Sequence, residues 1–201
     1  ISLFASTSPS YLILRSLDKV NRTLVEGYTE TIRPVDERVR VLKSRLAENG
    51  FALAGNEPLK LTIRTKDYGY PGDEFAEILR KSRIECEFSD PDFVVMMITP
   101  ENSADDLDFL EKALLSVPKR EKICDEIPVV FPCIQAMPIG DVLFKVSEEI
   151  DAESAEGRIL ASPSVSCPPA VPIAICGERL TENAVKCFKY YGIEKIDVVT
   201  E

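Results

Sequence analysis

The chain has 201 residues, 45% hydrophobic and 29% charged, a balance that supplies one or two packed cores. Its formal net charge of −10 argues against nucleic acid as a partner, because phosphate recognition needs a clustered basic face. It contains no histidine, which removes Ser-His-Asp and Cys-His catalysis and any mixed Cys/His zinc site.

In chain order, Ser8 before Pro9 reads as a helix start: a hydroxyl cap, then proline where its missing N–H costs nothing. Ile13, Leu17, Val20 and Leu24 recur at helical spacing, and Gly27-Tyr28 ends or bends the element. A second helix is predicted after Pro34, with the stripe Val35, Val39, Leu42 and Leu46 and Gly50 as its terminal glycine. The period then changes to two: Leu59, Leu61 and Ile63 alternate with Lys60, Thr62 and Arg64, a half-buried strand. Residues 67–72 form a loop, and Asp73 to Lys81 a helix burying Phe75, Ile78 and Leu79. A short strand near Ile84 to Phe88, a Ser-Asp-Pro-Asp turn and an apolar strand from Phe93 to Ile98 follow. That last run, the longest apolar one, is far below the roughly 18 residues a bilayer needs.

Ser103-Ala104-Asp105-Asp106 reads as a capping box, with Asp in place of Glu, opening a helix that carries Leu107, Leu110 and Leu114. Residues 119–135 read as a connector with one short strand at Val129-Val130-Phe131. Beyond it come a helix over Ile139 to Lys145, a turn at Ser147-Glu148-Glu149, and a short helix over Asp151 to Gly157. The proline-set segment Pro168-Pro169-Ala170-Val171-Pro172 leads into a strand, Ile173 to Cys176. Thr181 starts a last helix burying Val185 and Phe188, and Ile196, Val198 and Val199 suggest a final strand. This order predicts α/β architecture of the α+β kind, a small sheet with helices on one face.

Few side-chain groupings point to chemistry. Cys86, Cys124, Cys133, Cys167, Cys176 and Cys187 form no C-x-x-C pair and read as free, mostly buried thiols of a cytoplasmic protein. The Asn21-Arg22-Thr23 sequon falls in a helix and is discounted. Asp105, Asp106, Asp108 and Glu111 read as a solvated helix face, not a metal site, and Cys124-Asp125-Glu126 as a surface loop. The hydroxyls of Ser6, Thr7 and Ser8 at a helix start allow two readings, anion binding or plain capping by Ser8.

Several stretches, in register, resemble one family. They are Ser6-Thr7-Ser8-Pro9-Ser10-Tyr11-Leu12-Ile13-Leu14 with Ser16-Leu17-Asp18, then Glu57-Pro58-Leu59-Lys60-Leu61, then Glu85-Cys86-Glu87-Phe88-Ser89-Asp90-Pro91-Asp92. Ile98-Thr99-Pro100-Glu101-Asn102 follows, and finally Cys167 to Ile173, running on to Gly177-Glu178. The chain is similar to the bacterial Orn/Lys/Arg decarboxylases, fold-type I enzymes that use pyridoxal 5′-phosphate (PLP). One departure is Gly140-Asp141, where relatives more often carry Arg-Glu, which bears on local contacts of the C-terminal domain.

The resemblance implies that residues 1–33 close the PLP-binding large domain, 34–118 form the small α/β domain, 119–136 a linker, and 137–201 the C-terminal α/β domain. It implies that Thr7 and Ser8 match the hydroxyl pair approaching the phosphate of the neighbouring subunit's PLP, in a homodimer or higher oligomer. The proline segment and Glu178 match a motif that is structural first, with a place near the active-site mouth. The family's Schiff-base lysine follows a histidine in a Ser-x-His-Lys type motif, and neither it nor the ring partners are found here; Lys60 and Lys66 lack that setting. No metal is expected. The expectation is a piece of a decarboxylase of ornithine, lysine or arginine, cytoplasmic, tied to polyamine metabolism and inactive alone. The alternatives are a non-catalytic oligomerisation or regulatory module of the same fold, or a relative with another substrate. The Ile13–Leu24 stripe is expected to pack on the large domain or a partner subunit, and to be partly exposed or self-associated in this chain.

Overall fold

A computed structural model describes residues 10–162, 164–165 and 172–200. The proposed cap at Ser8-Pro9 and the segment Pro168–Val171 lie outside the described residues.

Helix α1 (Tyr11–Val25) has the expected apolar stripe but buries none of it: Ile13 is 63% and Leu24 56% exposed. Gly27 separates it from α2 (Tyr28–Glu48). The second helix begins at Tyr28, ahead of the predicted start after Pro34, so Pro34 lies inside it. The carbonyl left without the missing proline N–H is that of Glu30, on the exposed first turns. Val35, Val39, Leu42 and Leu46 are buried as their spacing predicts. Gly50 ends the helix with φ +87°; its N–H reaches the carbonyl of Ala47 while that of Phe51 reaches Leu46, the paired bonds of a left-handed helix stop. Phe51 is thereby delivered into the core.

Strands β1 (Leu53–Ala54), β2 (Lys60–Arg64), β3 (Phe88–Ser89) and β4 (Phe93–Met97) form an antiparallel sheet in the order β1-β2-β4-β3. The register sets Leu61 opposite Met96 and Ile63 opposite Val94, so one face is fully apolar. Against that face pack α2, α3 (Gly72–Lys81) and α4 (Ala104–Ser116) through Leu46, Phe75, Leu79, Leu110 and Leu114. Phe51 stacks on Tyr68 at 4.0 Å and meets Phe75 edge-on. The predicted capping box of α4 is present: Ser103 Oγ accepts from the Asp106 N–H at 3.1 Å, and Asp106 returns a bond to the Ser103 N–H at 2.7 Å. Helix α3 starts one residue early and leaves Ile78 only half-buried. The strand expected over 84–88 is reduced to Phe88–Ser89, after which Asp90 Oδ1 takes the N–H groups of Asp92 and Phe93 and turns the chain. Among the described residues, no helix packs on the sheet's other face, with Thr62, Val95 and Met97.

A second core lies further along, formed by Cys133, Leu160, Leu180, Cys187, Phe188, Ile196 and Val198 among others. No strand forms at Val129–Phe131; pairing occurs instead between β5 (Ile134–Gln135) and β9 (Glu178–Arg179). Ser147–Glu149, predicted as a turn, belongs to strand β6 (Ser147–Asp151), antiparallel to β10 (Lys195–Val199). Its polar composition hid it, because it is exposed along nearly its whole length. The helix expected over 139–145 is the single turn α5 (Ile139–Val142), and the one over 151–157 is a 3₁₀ turn, Ala152–Ser154. Strand β7 (Ser164–Val165) pairs with β8 (Pro172–Ala174). The last helix, α6 (Glu182–Tyr190), is capped by Thr181 Oγ1 on the Ala184 N–H and buries Phe188, with Val185 half-buried.

Candidate functional site

The most enclosed charged grouping forms where the two cores approach. After β2 the chain enters a 3₁₀ turn, Thr65–Tyr68, whose Thr65 is bound by N–H and hydroxyl to the carbonyl of Asp92. That aims Lys66 inward. Its Nζ reaches Asp92 Oδ1 at 2.9 Å, Asp125 Oδ2 at 2.6 Å and the Tyr190 hydroxyl at 2.5 Å, and lies 4.7 Å from the Tyr190 ring centre. The Tyr190 hydroxyl donates to Asp92 Oδ1 at 2.6 Å. Asp92 is only 3% exposed.

Burial alone would depress the Lys66 ammonium, but its bonds to Asp125, Tyr190 and Asp92 outweigh this and raise its pKa above the usual value. Burial, then the bond to Asp92, lifts the Tyr190 phenol to about 12, with Lys66 pulling the other way. An ammonium so held is neither a nucleophile nor a base; the arrangement is a polar joint. Beside it, a cleft of about 480 Å³ is lined by Arg64, Asp67, Lys122 and Glu126. Asp67 pairs with both Lys122 and Arg64, and the bond to Lys122 holds its carboxyl below the usual range.

Thr7 and Ser8 lie outside the described residues. Glu178 Oε2 accepts the Ile175 N–H at 2.9 Å and so braces the turn that follows β8. Of the acidic run on α4, Asp106 serves its capping box and Glu111 binds Arg45, and no metal-binding cluster occurs among the described residues. The described cysteines are all free thiols; Cys133, Cys176 and Cys187 are buried, and burial pushes half-buried Cys86 up to about 11. Asp125 is the residue that sequence reasoning set aside as surface loop and the structure brings into the joint. No helix among the described residues is long and apolar enough to cross a membrane.

Backbone comparison places this mixed helix-and-strand architecture with lysine decarboxylase chains. The constitutive lysine decarboxylase of E. coli superposes with a TM-score of 0.72 at 15% identity, over 98% of this chain and 44% of that one. Lysine decarboxylase A of Pseudomonas aeruginosa gives 0.69 at 14% identity, over 99% of this chain and 44% of that one. Sequence comparison carries the likeness further: an arginine decarboxylase of Bacillus subtilis is 31% identical over 209 residues, covering 92% of this chain and 42% of that protein. One from Halalkalibacterium halodurans is 31% identical over 204 residues, covering 91% of this chain and 41% of its own length. The chain thus spans about two fifths of the length of these curated relatives. Residues 138–195 match the family described as Orn/Lys/Arg decarboxylase, C-terminal domain. The chain belongs to the Orn/Lys/Arg decarboxylase family and carries its C-terminal domain.

Proposed function

We propose that this chain is the C-terminal portion of a PLP-dependent decarboxylase of a basic amino acid, arginine ahead of lysine or ornithine. The observation that carries this is the 31% identity to the Bacillus subtilis arginine decarboxylase across 92% of the chain. PLP, when bound, supplies the electron sink for the carbanion left by loss of CO₂. The division of labour follows the family resemblance: residues 1–33 complete the large domain, 34–118 form the small domain, 119–136 link, and 137–201 form the C-terminal domain. Thr7 and Ser8 contribute hydroxyls to the phosphate of the neighbouring subunit's PLP in a cytoplasmic homodimer or larger assembly. The exposed stripe of α1 supports a covering partner there, and the helix-free sheet face supports a second covered surface. The formal charge of −10 suits a cationic substrate.

The chemistry is assigned outside this chain. Lys66 is held protonated by its carboxylate and phenol partners, whereas an imine-forming lysine must offer a neutral amine. Without any histidine, no imidazole stacks on a cofactor ring. The test compares this chain with the full product of its gene, each supplied with PLP and labelled arginine, lysine or ornithine. The full product should release CO₂, fastest from arginine, and this chain should show neither an aldimine absorbance nor release. A lysine-linked aldimine on this chain would refute the division. A full product that binds PLP yet decarboxylates none of the three would refute the function and leave the oligomerisation module.

A further inference from the structure

The first core runs from Val35 to Val117 and the second from Cys133 to Val198, as separate apolar clusters. Among the described residues, every side-chain hydrogen bond passing directly between them ends on the Tyr190 hydroxyl. The chain between α4 and β5, a strap without regular structure, also joins them, and Lys66 Nζ lies 4.7 Å from the Tyr190 ring centre. The strap is fastened to the first unit at the 3₁₀ turn: the Arg120 N–H donates to the carbonyl of Tyr68 at 3.1 Å and the Ile123 N–H to that of Lys66 at 3.0 Å. We propose that Tyr190 is the joint that fixes the C-terminal unit against the sheet unit, and that Lys66, by binding Tyr190, Asp92 and Asp125 together, locks joint and strap as one device.

The chemistry of the donors fixes the direction of each bond. An ammonium only donates and a carboxylate only accepts, so the Tyr190 hydroxyl accepts from Lys66 and gives its own proton to Asp92. Four separate pieces of chain meet there: the 3₁₀ turn, the turn before β4, the strap and the end of α6. The Lys66 side chain is 12% exposed and that of Asp92 4%, so the Lys66–Asp92 bond escapes most solvent screening, whereas Asp125 stands 43% exposed. The pairs Arg80–Glu85 and Lys189–Glu153, by contrast, stand in water and hold little. Removing the Tyr190 hydroxyl therefore takes away the side-chain hydrogen bonds between the units without touching either core. Tyr190→Phe is that change; the ring keeps its edge contact with Tyr191 at 5.1 Å.

The experiment is native-state hydrogen exchange on the intact chain, parent against Tyr190→Phe. Amides of the strap, Arg120 and Ile123, should exchange about tenfold faster or more, the effect of losing a hydrogen bond to a charged group. Amides of the β2–β4 and β6–β10 ladders should keep their parent rates. Asp92→Asn, which also weakens the Lys66 ion pair, should loosen the same strap amides, and the double variant should fall short of the sum of the two singles, since the Tyr190–Asp92 bond is lost in both. Unchanged strap exchange in Tyr190→Phe overturns the proposal. So does an equal acceleration over both ladders, which would mark general destabilisation, and so do additive effects in the double variant.

Discussion

Gly69 joins a strained backbone to a close approach, and the two penalties can be separated by experiment. Its φ is +94°, and a Cβ there would lie 2.5 Å from Arg120 Cβ and 2.7 Å from both the Arg120 carbonyl carbon and the Glu121 oxygen. Gly55, in the same unit between β1 and β2, has φ +73° and nothing within 4 Å of its hypothetical Cβ. Gly55→Ala should therefore cost only the left-handed backbone term, about 1–2 kcal/mol. Gly69→Ala should add the cost of forcing backbone apart, about 1–3 kcal/mol more, for a total near 2–5 kcal/mol. Urea unfolding of both variants beside the parent gives the difference directly. Equal losses would refute the reasoning, because the backbone term would then explain both and the strap would not be seated on the turn.

Other outcomes follow from the same physics. Arg83 ends α3 in the left-handed conformation, with φ 60°, and the bonds from Arg83 to Arg80 and from Ile84 to Leu79 repeat the pattern that glycine serves at Gly50; Arg83→Gly should raise stability by about 0.5–1 kcal/mol in the same assay. Ser103→Ala should cost about 1 kcal/mol, within the usual range of 0.5–2, by releasing one N–H of α4; fraying of α4 seen by amide exchange checks it. Tyr190 is raised to about 12 and Lys66 is also raised, so each holds its proton more tightly when folded. Their stabilisation is complete below the unfolded tyrosine value near 10 and is lost as pH climbs toward 12. The other groups facing the joint are Asp90, Asp92, Asp125 and Tyr191. Denaturant midpoints at pH 8, 10 and 11.5 should fall more steeply for the parent than for Tyr190→Phe, and parallel curves would contradict this.

The helices and the central strands were legible because burial imposes a period: Leu61 and Ile63, or Leu107, Leu110 and Leu114, can be buried only in one way. Caps at Ser103 and Thr181 and the stop at Gly50 fixed ends for the same local reason. Where tertiary context decides, the reading failed. Pro34 resembles a first-turn proline but lies in the seventh position of α2, because α2 can start at Gly27 where its first turns meet solvent. Strand β6 has no alternation to read, since water bathes almost all of it. The joint is spread over positions 66, 92, 125 and 190, and nothing local announces that they meet; the one available signal was the Asp-Pro-Asp turn, which tilts Asp92 toward Lys66. The family stretches quoted from Glu57 to Asn102 fall on the start of β2, on β3 and on the turns either side of β4, so the resemblance tracked the framework.

The acidity of β6 has a consequence for how copies of this chain meet. Among the described residues its outer backbone edge pairs with nothing, which makes it a place where another strand could attach. Two such edges brought together would face Glu149 of one copy toward that of the other, while Glu148 and Asp151 are already paired with Arg158 and Lys195. Like charge at that range is repulsive, so the edge rejects its own kind while the apolar stripe of α1 invites company.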